Sequence, residues 1–369
     1  MSHLFGLRCA MIDYAGQFAK DFEQIRNSIQ KPNILVLGPT GSGKSTLVNL
    51  VFGSRVAESG AGYPVTRGIN TYRHQLINLF DSEGYESGQE NQSRYRELIF
   101  DFIGNRSSME ERIHLVWYCL SLPAARFTDL DAEFLNGFRE RKLPAALMLT
   151  QVDSSTEENA AEMKAAVISQ MPGQEIFETT TDETLKAQLG FVDKIIDWSV
   201  EHLPESLHEA LLSAVAEGLE RKYDAGRKSV MKHAALAATI GAAPIPMADS
   251  PALIANQVTM VAHLASIWDL PKLDAMASSG LASTAVSYVG RGLAGNLVKI
   301  IPGVGTWLGG TINATVAAAV TTAMGLAVNT LCRNYVQASL EGRKPALESF
   351  FNAASLEALV KSYYKKGEF

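Results

Sequence analysis

Eight consecutive residues, Gly38-Pro39-Thr40-Gly41-Ser42-Gly43-Lys44-Ser45, hold the most specific chemistry in this chain. Glycines at 38, 41 and 43 let backbone N–H groups turn inward together with no Cβ in the way, which makes a cradle for anionic oxygens. A lysine and a hydroxyl follow at the spacing of a phosphate-binding loop, Gly-x-x-x-x-Gly-Lys-Ser. The flanking sequence suits the motif. Ile34-Leu35-Val36-Leu37 is a short apolar run expected to be a strand buried on both faces, and Ser45 to Phe52 has a helical pattern whose N-terminus adds its dipole. Lys44 is expected to bridge the β- and γ-phosphates of a nucleotide, and the Ser45 hydroxyl to ligate Mg2+. The binding segment runs from Gly38 through Ser45 to the adjacent Thr46.

Companion residues decide what such a loop does. Asp81-Ser82-Glu83-Gly84 closes the apolar run Leu76 to Phe80, so Asp81 is expected to reach the magnesium through water and the Gly84 N–H to meet the γ-phosphate. A strand of this kind in an ATPase would usually place Glu directly after the Asp; here Ser82 intervenes. Between loop and strand, Tyr63-Pro64-Val65-Thr66-Arg67-Gly68 offers the Thr66 hydroxyl as a sensor of magnesium and γ-phosphate, against the plainer alternative of an ordinary loop threonine. A further strand, Ala145 to Leu149, ends in Thr150-Gln151-Val152-Asp153. A carboxylate there accepts both N1–H and N2–H of guanine, which adenine does not offer. Thr150, Gln151 and Asp153 are therefore the candidate base site.

This series of motifs resembles the Era-like, translation-factor-related P-loop GTPases. The loop and the Thr-x-Val-Asp ending are particularly similar to the interferon-inducible and dynamin-like branches. The resemblance implies hydrolysis of GTP to GDP and phosphate with Mg2+. It also exposes departures. The usual Asn-Lys-x-Asp is Thr150-Gln151-Val152-Asp153 here, without the lysine stem that lies over the base, and a fifth motif would fall within Glu178-Thr179-Thr180-Thr181-Asp182 without a unique alignment. The glutamine that orients water in Ras-like enzymes is replaced by Tyr85, which implies slow turnover unless another group is supplied. The asparagine that holds potassium in some relatives corresponds to Gly41. Arg67, adjacent to Thr66 as in dynamin's Thr-Arg, and Arg126 are candidate arginine fingers, acting in cis or across a homodimer at the nucleotide face. A surface or salt-bridged arginine is the bland alternative for each. His74 and His114 flank expected strands without metal-site spacing and read as structural. A phosphotransferase would need a second catalytic carboxylate in a substrate lid, and no such pattern stands out.

These residues must be positioned by alternating strands and helices. Apolar runs recur at Gln75 to Phe80, Ile113 to Leu120, Ala145 to Leu149 and Glu175 to Thr180, with helical patterns near Arg94–Ile103, Leu130–Arg139, Glu157–Met171 and Leu185–His202. The expected fold is α/β, a mainly parallel sheet with helices on both faces, followed by an all-α domain. The expected boundaries are an N-terminal amphipathic helix within residues 1–30 that packs on the next domain, an α/β domain over 31–204 and a helical domain over 205–369. Ser206 to Thr239 reads as one long or broken helix, and Leu347 to Lys361 as the last, amphipathic one.

Composition bounds the surroundings. A net charge of −6 with no long Lys/Arg run argues against nucleic acid as a partner. Three dispersed cysteines, Cys9, Cys119 and Cys332, suit a reducing cytoplasm rather than a disulfide scaffold, and Met1 to Gly16 lacks a signal-peptide core. Ile300 to Cys332 is uncharged and long enough to cross a bilayer. Gly, Thr and Asn punctuate it, however, and Leu308, Ile312, Val316, Val320 and Met324 form one bulky stripe, which favours a tight soluble core over an inserted hairpin. Together with Ala242 to Asp249, Gln257 and Met260, this region resembles the all-helical domain that follows Era-like GTPase domains in bacterial proteins. The leading expectation is a GTP-hydrolysing switch or mechanoenzyme working through its helical domain on a protein effector. The alternative is a nucleotide-dependent interaction protein at the inner membrane with negligible turnover.

Overall fold

The computed structural model describes residues 14–53, 63–66, 69–73, 76–82, 89–106, 108, 110–123, 126–215, 218–242, 251–270, 314–340, 343 and 346–366. The chain divides into two compact units, Ile29–Gly218 and a second made of Met1–Ser28 with Leu219–Phe369.

The first unit is built on strands β1 (Asn33–Leu37), β2 (Tyr63–Thr66), β3 (Ile69–Arg73), β4 (Asn78–Ser82), β5 (Leu115–Ser121), β6 (Ala145–Thr150) and β7 (Ile176–Glu178). They form one seven-stranded sheet in the order β2-β3-β4-β1-β5-β6-β7. From β4 to β7 all neighbours are parallel; β2 and β3 pair antiparallel with each other and β3 antiparallel with β4. The period-2 alternation of a strand sends Ile34 and Val36 to one face and Leu35 and Leu37 to the other, and every residue of β1 is buried. One face is covered by α2 (Lys44–Phe52), α7 (Phe191–His202) and α8 (Glu205–Ala214). The other is covered by α3 (Gln89–Gly104), α4 (Asp129–Glu140) and α5 (Glu157–Gln170). A short α6 (Glu183–Leu189) precedes α7, and Gly190, left-handed at φ 55°, separates them where the sequence pattern suggests one continuous helix.

Three features differ from the sequence expectation. The β2–β3 hairpin was expected to be loop, because Tyr63–Thr66 is short and contains Pro64 and Ile69–Arg73 has no apolar run. Helix α8 was assigned to the helical domain, but Leu207, Leu211 and Ala214 are buried in the core of the sheet unit, which therefore runs on to Gly218 rather than ending at 204. The N-terminal helix α1 (Tyr14–Ser28) was expected to pack on the domain that follows it in sequence, yet it belongs to the second unit. An amphipathic stripe specifies that a helix must be covered and leaves open by what.

The second unit comprises α1, α9 (Leu219–Gly241), α10 (Pro251–Ile267), α11 (Ala314–Leu340), α12 (Leu347–Phe350) and α13 (Ala353–Lys366). Phe18 and Phe22 bury their rings among Val261, Leu264 and neighbouring residues, the Arg26 guanidinium pairs with Asp269 at 2.9 Å, and the Thr259 hydroxyl donates to the buried Asp21 at 2.6 Å. Of the uncharged stretch, residues 300–313, with Leu308 and Ile312, lie outside the described residues, as do 243–250; the remainder is α11. This helix is long and apolar enough to cross a membrane, and most of its apolar window is buried inside the unit. Its small residues are covered as well as its bulky ones: Ala317, Thr321, Gly325 and Ala327 are buried alongside Val320 and Met324. A Cβ on Gly325 would lie 2.7 Å from the Val230 methyl groups of α9, so the two helices approach through that position. Buried polar groups pair inside the bundle. The Trp268 indole N–H donates to Asn329 Oδ1 at 2.6 Å, Asn329 Nδ2 donates to the Tyr223 carbonyl at 2.9 Å, and Gln257 Nε2 donates to Thr321 Oγ1 at 3.2 Å.

Candidate functional site

Because β1, β4, β5 and β6 run parallel, their C-terminal ends share one edge of the sheet, where ligands of open α/β folds bind. Gly38, Asp81, Ser121 and Thr150 all stand there. The turn out of β1 needs glycine for a specific reason. Gly38 has φ 140°, and a Cβ on it would fall 2.1 Å from the Cys119 carbonyl oxygen of β5. Gly41 at φ 79° and Gly43 at φ 81° continue the turn, Gly43 being the left-handed N-cap of α2. Pro39 is half-buried, Thr40, Ser45 and Thr46 are exposed on the loop and the first turn of α2, and the Ser42 side chain is buried.

Lys44 is the buried centre of the loop. Its ammonium donates to the carbonyls of Gly38 and Pro39, each at 3.0 Å. Burial holds it below its ordinary value; the negative charge of Asp81 acts in the opposite sense. Asp81 is itself buried near the end of β4. Cys119, one strand over, has its thiol pushed up to about 12 by burial, so it stays a neutral packing group beneath the loop.

The base-motif residues are tied to this loop by direct bonds. The Thr150 hydroxyl donates to the Ser42 carbonyl at 2.8 Å, which sets the loop against the end of β6. Gln151 has a left-handed backbone at φ 59°, its Nε2 donates to the Gly41 carbonyl at 3.3 Å, and its Oε1 accepts from the Ser121 hydroxyl at 3.1 Å. Asp153 is exposed, and its Oδ1 accepts the Thr180 hydroxyl, the main reason its carboxyl is held below the ordinary carboxylate range. Thr180 is buried and also accepts the Asp182 N–H at 3.0 Å, while the Val152 N–H donates to the Thr179 carbonyl at 3.3 Å. The Thr-Thr-Thr-Asp segment therefore borders Asp153 through Thr180, which the sequence left unaligned. Ser121 and the Cys119 carbonyl carry no motif signal and become visible only through the parallel pairing of β5 with β1 and β6.

Other candidates separate. Arg126 is exposed after β5. Thr66 ends β2 opposite Ile69, but its side chain, and Arg67, Gly84 and Tyr85 entirely, lie outside the described residues, as does His74. His114 is structural: its Nδ1 accepts the Asn33 N–H at 2.9 Å.

Residues 33–151 match the family described as 50S ribosome-binding GTPase. The chain carries a P-loop GTPase domain. This domain is Era- and EngB-like, and an all-helical region follows it. The chain is 23% identical over 154 residues to the Probable GTP-binding protein EngB of Aquifex aeolicus, a match covering 41% of this chain and 80% of that protein. It is 36% identical over 96 residues to Magnetosome membrane protein 22 of Magnetospirillum gryphiswaldense, covering 25% of this chain and 48% of that protein. Among solved structures, a crystal structure of a probable GTP-binding protein engB aligns at 19% identity and a TM-score of 0.36, covering 48% of this chain and 99% of that one.

Proposed function

We propose that this chain is a GTP-driven switch or mechanoenzyme, with the nucleotide held between the 38–46 loop and the Thr150–Asp153 turn and the helical unit delivering the output to an effector. The observation that carries the proposal is the buried Lys44 ammonium, which faces Asp81 and is held by two loop carbonyls. Two carbonyl contacts leave a permanent charge only partly compensated, so phosphate oxygens are the stronger partners for it. In this scheme the inward N–H groups of residues 41–46 and the α2 dipole hold the phosphates, while Lys44 neutralises charge on the β- and γ-phosphates. Asp153, kept ionised by Thr180, accepts from guanine. Gln151 is spent on the Gly41 carbonyl and Ser121, so it braces the loop against the base site and does not take the stacking place of the usual lysine.

The donor set suits magnesium. A buried carboxylate on Asp81 and an exposed hydroxyl on Ser45 are hard oxygen ligands of the kind Mg2+ takes together with water and phosphate, with Thr66 as the candidate third. When bound, the ion neutralises charge developing on the phosphates. Gly84 remains the candidate γ-phosphate N–H donor. With Tyr85 at the water-orienting position, Arg67 and the exposed Arg126 are the groups for activation in cis or across a homodimer.

Phosphate release from GTP and from ATP, measured on the full chain and on Lys44→Ala at several protein concentrations, tests this. Slow GTP-selective turnover that rises with concentration and vanishes in Lys44→Ala is expected. Equal use of ATP would overturn the guanine assignment, and constant specific activity would overturn activation across a dimer. The second reading, a membrane-docked binder with negligible turnover, is favoured by the length and apolar character of α11. It predicts GTP binding without phosphate release, and flotation with vesicles.

A further inference from the structure

The N-terminal edge of the sheet, opposite the nucleotide loop, carries a second concentration of charge. A cavity of about 470 Å³ lies there, where Ile113 and His114 enter β5 and Leu143 and Pro144 enter β6. Arg106, Arg112, Arg141 and Lys142 line it, with His114 and His202, and among the described residues no carboxylate does. The cavity is separate from the 38–46 loop, because seven-residue β5 stands between the two edges and spans roughly 20 Å.

The charge of Glu111 acts on one cation of this cavity, Arg106, without a close ion pair. Among the described residues, none of Arg106, Arg112, Arg141 and Lys142 has a carboxylate within ion-pair distance. Arg106 gives one N–H to the Glu111 carbonyl at 3.4 Å, while the Glu111 carboxylate is engaged by the Ser108 hydroxyl at 3.1 Å. Two of the guanidiniums lie over aromatic rings. Arg106 lies 4.6 Å from the Phe80 ring centroid and 4.3 Å from that of Phe102, and Arg141 lies 4.2 Å from that of Phe100 while donating to the Gly137 carbonyl at 3.0 Å. A cation–π contact restrains a guanidinium and leaves most of its fork of donors free to chelate phosphate. Lys142 occupies a left-handed backbone position at φ 54° that favours glycine, so its side chain is retained there at a conformational cost.

We propose that this cavity is a second anion site, which binds a small phosphorylated molecule carrying a phosphomonoester or diphosphate group. Its volume is that of a small-molecule pocket, and four positive charges call for more than one negative charge in the ligand. A nucleic acid would need an extended cationic track on a chain whose net charge is instead −6.

Isothermal titration of inorganic pyrophosphate into the full-length protein, preloaded with excess GDP and at fixed ionic strength, tests the site. One pyrophosphate is expected per chain without displacement of GDP. Arg112→Gln and Arg141→Gln should each weaken it about tenfold, the scale of one charge-assisted hydrogen bond. Both variants should keep the parent's circular dichroism and GDP content. Arg112 is exposed, so that variant remains informative if Arg141→Gln folds poorly. Vesicles of phosphatidylcholine with phosphatidic acid form the second arm. Sedimentation with them that pyrophosphate competes away, and that Arg112→Gln reduces, identifies a lipid phosphate as the source. Its absence alongside pyrophosphate binding identifies a free phosphate ester. No heat from pyrophosphate, release of GDP, or an affinity unchanged from the parent in both variants would overturn the site.

Discussion

Lys44 and Asp153 are each set by a different physical term. Burial lowers the lysine, so the folded protein holds that proton less tightly than the unfolded chain does. The charged group therefore costs stability at neutral pH, and the cost falls away as pH rises from the lowered folded value toward 10.5. Lys44→Met should accordingly raise the melting temperature of the nucleotide-free protein while weakening nucleotide binding by at least about a hundredfold, from the loss of two charge-assisted hydrogen bonds at about 1.5–3 kcal/mol each. Thermal scans with and without GTP check both effects. Asp153 has the opposite linkage: its carboxyl is depressed by the Thr180 hydroxyl, and the stability this adds is present above 3.8 and lost as pH falls through the folded value. Thr180→Val should move the Asp153 titration, followed by carboxyl NMR, back up toward 3.8. Asp153→Asn should erode the preference for GTP over ATP in competition binding by about 1–3 kcal/mol, since it turns an acceptor of two guanine N–H groups into a mixed donor and acceptor.

At the scale of elements, the loop depends on how closely it crosses β5. A Cβ at Gly38 would meet the Cys119 carbonyl at 2.1 Å, which is backbone and cannot turn aside. Gly38→Ala should therefore cost about 1–3 kcal/mol or more in urea unfolding and abolish nucleotide binding together. Gly41 makes a useful contrast, because nothing lies within 4 Å of its Cβ direction and only its φ of 79° resists substitution. Strands β1, β4, β5 and β6 were legible as apolar runs because nearly all their residues are buried, and β7 was legible although its residues are only partly buried. The β2–β3 hairpin was not, since Pro64 breaks the first segment and Asn70, Thr71 and Arg73 leave the second without an apolar run. Gly190 divides α6 from α7 by its left-handed backbone, which periodicity alone does not register.

At the scale of the whole molecule, the N-terminal helix is an integral part of the C-terminal bundle. Phe18 is 1% exposed in the same core as Val261 and Leu331, so Phe18→Ala should destabilise the helical unit by about 3–5 kcal/mol in chemical denaturation followed by circular dichroism. The long apolar helix α11 carries buried Thr321, Thr322 and Asn329, and the last is bonded on both its oxygen and its nitrogen. A helix whose polar groups are matched by neighbours needs no lipid to cover it. Full-length protein should thus fractionate without detergent, and recovery only in carbonate-resistant membranes would place α11 in the bilayer instead.

Sequence by itself determined the phosphate loop, the alternation that makes a mainly parallel sheet, and the candidate base-reading carboxylate, because each is a local pattern: fixed spacing, apolar period and side-chain type. Tertiary structure alone decided the rest. Thr180 meets Asp153 only because β7 lies beside β6, and Gln151 reaches Gly41 only because Thr150 is bonded to Ser42 across more than a hundred residues of chain. Helix α8 joins the sheet unit and α1 the helical one through which apolar faces bury together. The cationic cavity likewise draws on the approaches to β5 and β6 and the ends of α3, α4 and α7. Spacing along a chain constrains neighbours within a few turns. Which distant surfaces meet is set by the packing of whole elements.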